Sequence, residues 1–339
     1  MDTRPLGDTG LNPSVIGFGL WTVSTTMWGI SDDEFGKDLL NHAFNLGITF
    51  YDTADVYGDG KGETLLADAL GAHRDEIVIA TKFGYDFVNY PGVQAGQRER
   101  PHDWSPAFVR AACEASLKRL NTDRIDVYQM HNPRIEAMQS EDLISCLEDL
   151  KAEGKIRLYG AALGPALKPE RQVDEGLYAV KERKMLVHII MNMLEQQLSG
   201  PICPAASENG VPVLVRVPHA SGVLEGAFDE TIQFSPNDHR SFRVTTNEMR
   251  RAWLDDGIKK LEMLKFCCED AGRTPAQMAL QWVKSHSSIR GIFPNIYDHK
   301  QLEEFAATDT TRPFSQEELA KVAELYANDF YLHRETASV

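Results

Sequence analysis

The sequence predicts an α/β fold of eight parallel strands closed into a (β/α)8 barrel. Three observations carry that reading. Eight short apolar runs recur along the 339 residues, stretches of helical periodicity separate them, and the first run leads into GFGLWTVS instead of GxGxxG. An open doubly wound sheet expects that glycine-rich turn directly after its first strand. Right-handed strand–helix–strand units that lack it close most simply as a barrel.

The elements follow in order. Arg4–Asn12, with turn-like Gly7 and Gly10, precedes the first strand, Val15–Leu20. Ser31 is placed to cap a helix ending near Leu46, with Glu34 three residues on as its capping-box partner. Thr49–Asp52 reads as strand, Glu63–Leu70 as helix and Ile77–Lys82 as strand. Ser105–Leu120 is a helix with Pro106 in its first turn, where the missing N–H costs nothing. Strands Ile125–Gln129, Ile156–Ala161 and Val187–Met191 are separated by helices over Asp142–Glu153 and Glu170–Arg183. Ile202–Glu208 is a short helix, and Pro212–Val217 a strand rich in branched residues. Glu248–Asp270 has the pattern of one long helix; Thr274 caps and Pro275 opens another that runs to Lys284. Ile289–Phe293 is the eighth strand, and Lys300–Ala307 and Ser315–Phe330 are additional C-terminal helices. No linker or composition shift interrupts the pattern, so a single domain over 1–339 is expected. Residues 83–104 and 218–245 form its candidate rim loops, and 315–330 its last helix.

A formal charge of −15 argues against a general nucleic-acid or anionic-membrane binder. Cys113, Cys146, Cys203, Cys267 and Cys268 form no CxxC pair and no disulfide framework, which points to reduced thiols. MDTRPLGDTG has no basic-then-apolar signal pattern, and no apolar run approaches a membrane span. A soluble cytoplasmic protein is the expectation. A metal site is not expected, because there is no HExxH and no second histidine at short spacing from His131. The absence of GxSxG argues against a serine hydrolase.

Three successive strand ends carry the chemistry. GITFYDTADVYG delivers Asp52 and, five residues later, Tyr57; EIVIATK ends in Lys82; RIDVYQMH ends in His131. Each alone has an ordinary structural reading: a turn cap, a loop aromatic, a solvated lysine, a satisfied histidine. In a barrel, strand ends meet at one rim, and a polar cluster over an apolar core needs partners. Carbonyl reduction fits such a cluster. Tyr57 would donate the proton, the Lys82 ammonium would favour the phenolate left behind, Asp52 would hold Lys82, and His131 would position the carbonyl. None of the four supplies a hydride, so a redox reading implies a nicotinamide cofactor.

Together these motifs resemble the aldo-keto reductase family over essentially the whole chain. The likeness runs from RPLGDTGLNPSVIGFGLW through GITFYDTADVYG, GETLLADAL, IVIATK and VYQMHNP to QLEEF. The resemblance implies a TIM barrel with an N-terminal β-hairpin across its bottom and an extended dinucleotide at its top. NADP(H) is the usual cofactor, and NAD(H) stays open as the alternative. It implies a tetrad of Asp52, Tyr57, Lys82 and His131 bordering the nicotinamide. It also implies Gly19, Leu20 and Trp21 beside that ring, Arg216 where relatives carry a packing aromatic or arginine, and Gln301 and Glu304 near adenine. Several cofactor positions depart from the family's pattern. Gly160-Ala161-Ala162-Leu163 replaces a Gly-x-Ser-Asn-like segment. His188 stands for glutamine and Met191 for tyrosine, while Asn192 remains. Asn295 follows Phe293-Pro294 in place of an IPG-like turn, and Phe305 replaces the last asparagine of QLxEN. Lys300 and His299 are the remaining basic candidates for a 2′-phosphate. The implied picture is retained chemistry with an altered cofactor grip.

The mouth is expected to receive Trp21, Trp28, Tyr85, Phe87 and Trp104, aromatics able to stack on a sugar-like or aromatic carbonyl compound. Arg98, Arg100 and His102 are polar candidates from the first rim loop. The leading function is interconversion of a small carbonyl compound and its alcohol. The competing readings are a cofactor-binding regulatory protein without turnover and a non-redox lyase or isomerase using the same pocket.

Overall fold

The computed structural model describes residues 1–92, 99–164, 169–269 and 271–332. Eight strands run parallel in sequence order: β1 (Phe18–Gly19), β2 (Phe50–Asp52), β3 (Val78–Phe83), β4 (Ile125–His131), β5 (Ile156–Ala162), β6 (Leu186–Ile190), β7 (Val213–Arg216) and β8 (Ile289–Phe293). The sheet closes where the segment before β1 bonds β8: Gly17 N–H donates to Ile292 O at 2.9 Å and Ile292 N–H to Val15 O at 2.7 Å. The barrel predicted from the sequence is therefore present, although β1 is shorter than Val15–Leu20. Its first residues bond β8 without forming regular strand.

Asp2–Val15 folds back on itself across the barrel. Arg4 N–H donates to Pro13 O, Leu6 N–H to Leu11 O and Val15 N–H to Asp2 O, an antiparallel pattern that includes the Thr3–Ser14 bridge. Leu6 is thereby buried in a cluster with Phe50, Val78, Val127, Leu186 and Leu214, which fills the lower barrel. Glycines make room for these side chains. A Cβ on Gly291 would sit 2.7 Å from the Phe50 ring, and one on Gly160 2.4 Å from Leu186 O.

Strand alternation then dictates what lies above this plug. Successive side chains point to opposite faces, so two residues beyond each inward apolar group comes the next inward group. Phe50 is followed by Asp52, Ala80 by Lys82, Val127 by Gln129, Leu186 by His188 and Leu214 by Arg216. One polar layer thus rests on one apolar layer. The outward residues, such as Tyr51, Ile79, Tyr128 and Val187, pack in the larger core between sheet and helices.

Helix ends follow their capping chemistry with one correction. Asp32, not Ser31, caps Asp33–Asn45: its backbone is extended and its carboxylate accepts from Glu34 N–H. Ser105 caps Pro106–Arg119, and Thr274 with Gln277 forms a capping box at Pro275–Lys284. Ser315 and Glu318 do the same at Gln316–Ala327, after which a separate turn spans Asp329–Tyr331. The expected long helix over Glu248–Asp270 is broken into Asn247–Arg250, a π turn over Arg251–Asp255, Asp256–Leu264 and Phe266–Glu269; Asp270 lies outside the described residues. The wide turn carries Trp253, whose indole donates to Ala220 O at 2.9 Å, and the fully buried Leu254. The 218–245 segment also holds structure of its own, with 3₁₀ turns over Ala220–Glu225 and His239–Val244. A short helix over Ile135–Gln139 follows β4 where none was expected.

Gly84 lies at φ +125°, and a Cβ there would stand 2.3 Å from two ring carbons of Trp104. Gly84→Ala is expected to destabilise the protein by about 2–3 kcal/mol, because it adds backbone strain to displacement of a packed ring. Gly71→Ala, at φ −57° with open space around the new methyl, is expected to stay within about 0.5 kcal/mol of the parent. Urea denaturation of the two variants checks this; coincident midpoints would contradict it.

Candidate active site

The polar layer is built from strand ends that cannot bury charge singly. Lys82 is almost wholly buried, and its Nζ lies 2.5 Å from Asp52 Oδ1 and 2.7 Å from Thr53 O. Burial alone would lower the lysine's pKa, but Asp52 and Tyr57 beside it more than offset that, and the ammonium is held above the ordinary lysine value. The second Asp52 oxygen, Oδ2, accepts from Gln129 Nε2 at 3.0 Å. Tyr57 sits half-buried in the loop after β2, its ring centroid 4.9 Å from Lys82 Nζ and 6.0 Å from the His131 ring, edge-on. The structure therefore brings all four residues, Asp52, Tyr57, Lys82 and His131, to one place. Burial, reinforced by Lys82, Arg216 and His102, pushes the His131 imidazole well below its usual range, so it is neutral at physiological pH.

The Tyr57 loop is braced from two sides. Asp59 pairs with Arg100 at 2.7 Å across to the first rim loop, and Asp55 is buried two residues before Tyr57. Burial and the nearby Glu63 raise the Asp55 carboxyl well above the usual carboxylate range. Glu63 itself accepts from Thr81 Oγ1 at 2.6 Å and Arg119 Nε at 2.7 Å.

The wall beside His131 is a stack of rings. Tyr85 stacks on His102 at 4.2 Å, His102 on Trp104 at 4.9 Å, and Tyr85 meets the His131 ring at 4.9 Å. His102 Nε2–H donates to His131 O at 2.9 Å. The Tyr85 hydroxyl donates to Glu99 Oε1 at 2.8 Å and accepts from Asn132 Nδ2 at 2.7 Å, while Arg134 pairs with Glu99. Tyr85 is therefore fixed beside the His131 ring, with its hydroxyl already used. Phe87 packs instead near the Arg119 guanidinium, 5.7 Å from it. Arg98 lies outside the described residues.

Trp21 and Trp28 meet edge-to-face at 6.1 Å, and the second rim loop covers them. His239 lies 4.4 Å from Trp21, and Arg240 lies 4.9 Å from the Trp28 ring and 4.9 Å from Phe234. Asp238 holds Arg240 through two bonds of 2.9 and 2.7 Å, and Tyr297 stacks on Trp28 at 6.2 Å. Sequence reasoning missed His239, Arg240 and Tyr297. The only available signal was the length of the loop, which says nothing about where its cation lands.

The other expected cofactor residues divide into those facing the mouth and those engaged elsewhere. His188 is buried in the polar layer, with Nδ1 3.1 Å from Gln129 Oε1 and no partner on Nε2 among the described residues. Arg216 closes the strand ends from within: Nη2 donates to Leu163 O at 2.5 Å and Nη1 to His188 O at 3.3 Å. Gly19 is partly exposed at the end of β1, and Leu20 beyond it is buried in the core. Ala161 is packed in the outer core, because strand alternation turns its neighbour Ala162 inward instead, opposite His188. Asn192 is saturated by protein: Nδ2 donates to Glu195 Oε2 and Val217 O, and Oδ1 accepts from Leu194 N–H and Glu195 N–H. Gln301 likewise donates to Glu225 Oε2 at 3.0 Å and accepts from Tyr297 N–H. His299 is paired with Asp38 at 2.8 Å, Asn295 and Glu304 are partly exposed, and Lys300 is exposed. Burial raises the Glu225 carboxyl to about 7 despite its bonds from Gln301 and Tyr297. Among the described residues no group of His, Cys, Asp and Glu is arranged to hold a metal ion, and no helix is long and apolar enough to cross a membrane.

His219 gives a test of this buried electrostatics. It is buried, Nε2–H donates to Ala276 O at 3.1 Å, and burial lowers its pKa from 6.5 to about 4. Between those values the unfolded chain binds a proton that the folded chain refuses, so the residue's contribution is complete above pH 6.5 and is lost as pH falls towards 4. The stability difference between the parent and His219→Gln is expected to shift in the variant's favour by roughly 2 kcal/mol from pH 7 to pH 4.5. Parallel pH profiles for the two proteins in chemical denaturation would contradict this.

The model of the aldo/keto reductase family matches residues 15–327. Aldo-keto reductase YhdN of Bacillus subtilis is 28% identical over 288 residues, 84% of this chain and 81% of its own. L-glyceraldehyde 3-phosphate reductase of Escherichia coli K12 is 26% identical over 332 residues, covering 95% of this chain and 91% of its own. Among solved structures, the holo form of aldo-keto reductase AKR11C1 from Bacillus halodurans superposes with a TM-score of 0.75 at 26% identity, covering 96% of each chain. Glycerol dehydrogenase AKR11B4 from Gluconobacter oxydans shares the fold at 0.79 and 24% identity, over 96% of this chain and 95% of its own. A barrel closed in this order and a family match across nearly its whole length lead to one conclusion: this chain belongs to the aldo/keto reductase family.

Proposed function

We propose that this protein is a nicotinamide-dependent oxidoreductase that interconverts a small carbonyl compound and its alcohol, with Tyr57 as the proton donor in reduction and acceptor in oxidation. The observation that carries the reading is the buried Asp52–Lys82 pair set 4.9 Å from the Tyr57 ring, beside a neutral His131. Family membership supports the same class of activity, and the L-glyceraldehyde 3-phosphate reductase among the relatives acts, by its name, on a small aldehyde.

The residues at the mouth fit a nicotinamide ring in part. His188 offers a buried ring nitrogen without a partner among the described residues, and Arg216 and Trp21 flank the strand ends. Ala162 and Leu163 offer no side-chain donor where the family's usual serine and asparagine would stand. Gly19, Trp21, His188 and Arg216 would hold the nicotinamide end, with Asn295, Lys300, Gln301 and Glu304 towards the adenosine. When bound, the dinucleotide supplies the hydride. NADP(H) is favoured by kinship; NAD(H) is the alternative, since His299 is tied to Asp38 and Lys300 is the exposed cation on that segment.

The chain's own residues manage the proton. As carbonyl carbon becomes tetrahedral, charge builds on its oxygen, and Tyr57 delivers a proton there. The phenolate that forms is stabilised by the Lys82 ammonium, which Asp52 keeps charged and in place. A neutral His131 hydrogen-bonds the carbonyl and orients it without competing as an acid. Aromatic surfaces from Trp21, Tyr85 and Trp104 suit a small, sugar-like compound.

Tyr57→Phe is expected to lower kcat/KM by about 10³-fold while leaving dinucleotide affinity within about threefold. Stopped-flow turnover and equilibrium titration read the two quantities separately. Undiminished turnover in Tyr57→Phe would remove the tyrosine from its role. Dinucleotide binding with no turnover across carbonyl and alcohol panels would favour the regulatory reading, and product formed without dinucleotide would favour a lyase or isomerase. Parallel titrations with NADPH and NADH decide the cofactor.

A further inference from the structure

The Asp52–Lys82 pair does not end at Asp52. Oδ2 accepts from Gln129 Nε2 at 3.0 Å, and Gln129 Oε1 lies 3.1 Å from His188 Nδ1. His188 Nδ1 is 3.8 Å from Asp52 Oδ2, too far for a hydrogen bond, so the histidine reaches the carboxylate only through the amide. Gln129 and His188 are both buried. His188 Nε2 is also buried, and it has no hydrogen-bond partner among the described residues.

The direction of every bond in this chain is dictated by the ammonium at its start. Asp52 accepts at both oxygens, from the Lys82 ammonium at Oδ1 and from the Gln129 amide at Oδ2. Gln129 must turn its NH2 towards Asp52, which leaves its carbonyl facing His188. A carbonyl only accepts, so His188 Nδ1 must carry the proton. Burial, with Lys82 and Arg216 nearby, keeps the imidazole neutral, so the second nitrogen has a lone pair and no hydrogen.

We propose that Gln129 is a positioning residue that locks His188 as its Nδ1–H tautomer, making Nε2 a buried acceptor reserved for a donor group of the ligand. The inference rests on the nicotinamide reading for the ligand's identity: the donor is the NH2 of the ring carboxamide. A glutamine at position 188 could rotate its amide to present either a donor or an acceptor. His188 presents an acceptor alone, and so selects a ligand with an N–H at that point. The same relay ties this preference to the ion pair beside Tyr57, because loss of the Lys82–Asp52 charge would free the Gln129 amide to turn.

The test uses the full-length protein, freed of copurified dinucleotide, with ¹⁵N-labelled histidine. His188→Gln identifies the His188 resonances by their disappearance. The expected spectrum at pH 7 shows His188 neutral, with its proton on Nδ1; a proton on Nε2 or an imidazolium would overturn the relay. Titration then compares a reduced nicotinamide dinucleotide with its 3-acetylpyridine analogue, which keeps the carbonyl but lacks the N–H. The parent protein is expected to bind the analogue about tenfold more weakly, the loss of one neutral hydrogen bond to a buried acceptor. In Gln129→Leu, checked for native circular dichroism, that ratio is expected to fall towards one. If Gln129→Leu does not fold, His188→Gln serves instead, and its ratio is likewise expected to approach one. Equal affinities in the parent would overturn the acceptor role. Failure of both dinucleotides to bind would remove the nicotinamide reading, while the tautomer spectrum would still decide the role of Gln129.

Discussion

A buried lysine beside a buried carboxylate is the constraint on which the rest of the site depends. Lys82 and Asp52 lie on adjacent strands at the top of an apolar plug, 2.5 Å apart and almost completely removed from water. Neither charge is tolerable alone there, since breaking such a pair leaves an uncompensated buried ion at a cost of about 3–5 kcal/mol. The pair therefore has to be complete, and its unused lone pairs have to be satisfied. Thr53 O takes one ammonium hydrogen and Gln129 covers the free carboxylate oxygen. Tyr57 and His131 then stand beside a fixed positive charge in a fixed geometry, the arrangement on which the proposed proton transfer rests.

The rim shows how the same constraint is shielded. On one side, Tyr85, His102 and Trp104 form a stacked row whose Tyr85 meets the His131 ring edge-on and is anchored by Glu99 and Asn132. On the other, Arg240 and His239 cross from the second rim loop to Trp28 and Trp21. Rings are suited to this task because they exclude water over a large area with few rotatable bonds. The cofactor side is different in character. Asn192, Gln301 and Arg216, polar residues that kinship would assign to ligand, make bonds within the protein, and Ala162 and Leu163 contribute no donor. The four strand-end groups are assembled while the polar residues beside them are largely bonded within the protein, and His188 Nε2, in the same polar layer, is one of the buried atoms with no hydrogen-bond partner among the described residues.

The eight-strand barrel was legible because each strand is a short apolar run and each return a helical one. The tetrad was legible because Asp52, Lys82 and His131 each end such a run. Gln129 could have been found by the same rule, since it stands two residues before His131 on the same strand face, but an amide carries no charge to mark it. Kinship points to Ala161 at the site, but strand alternation turns it into the outer core, with Ala162 facing inward. The break in the Glu248–Asp270 helix was not legible because what fixes the wide turn is a tertiary contact and not a local pattern. Trp253 bonding Ala220 O is a contact between segments far apart in sequence.

What the sequence by itself determined is the series of short apolar runs, with polar residues appearing where the runs end. That pattern obliges a plugged barrel with a polar layer at its carboxyl end. The tertiary structure alone decided which polar groups are spent on one another and which are left for a ligand. Asn192 is saturated by Leu194, Glu195 and Val217, His299 pairs with Asp38 and Arg216 donates to two carbonyls, whereas His188 Nε2 has no partner among the described residues. The physical reason is that strand periodicity is local and survives in any sequence reading. Hydrogen-bond satisfaction is a property of neighbours, and here those neighbours come together only when the barrel closes.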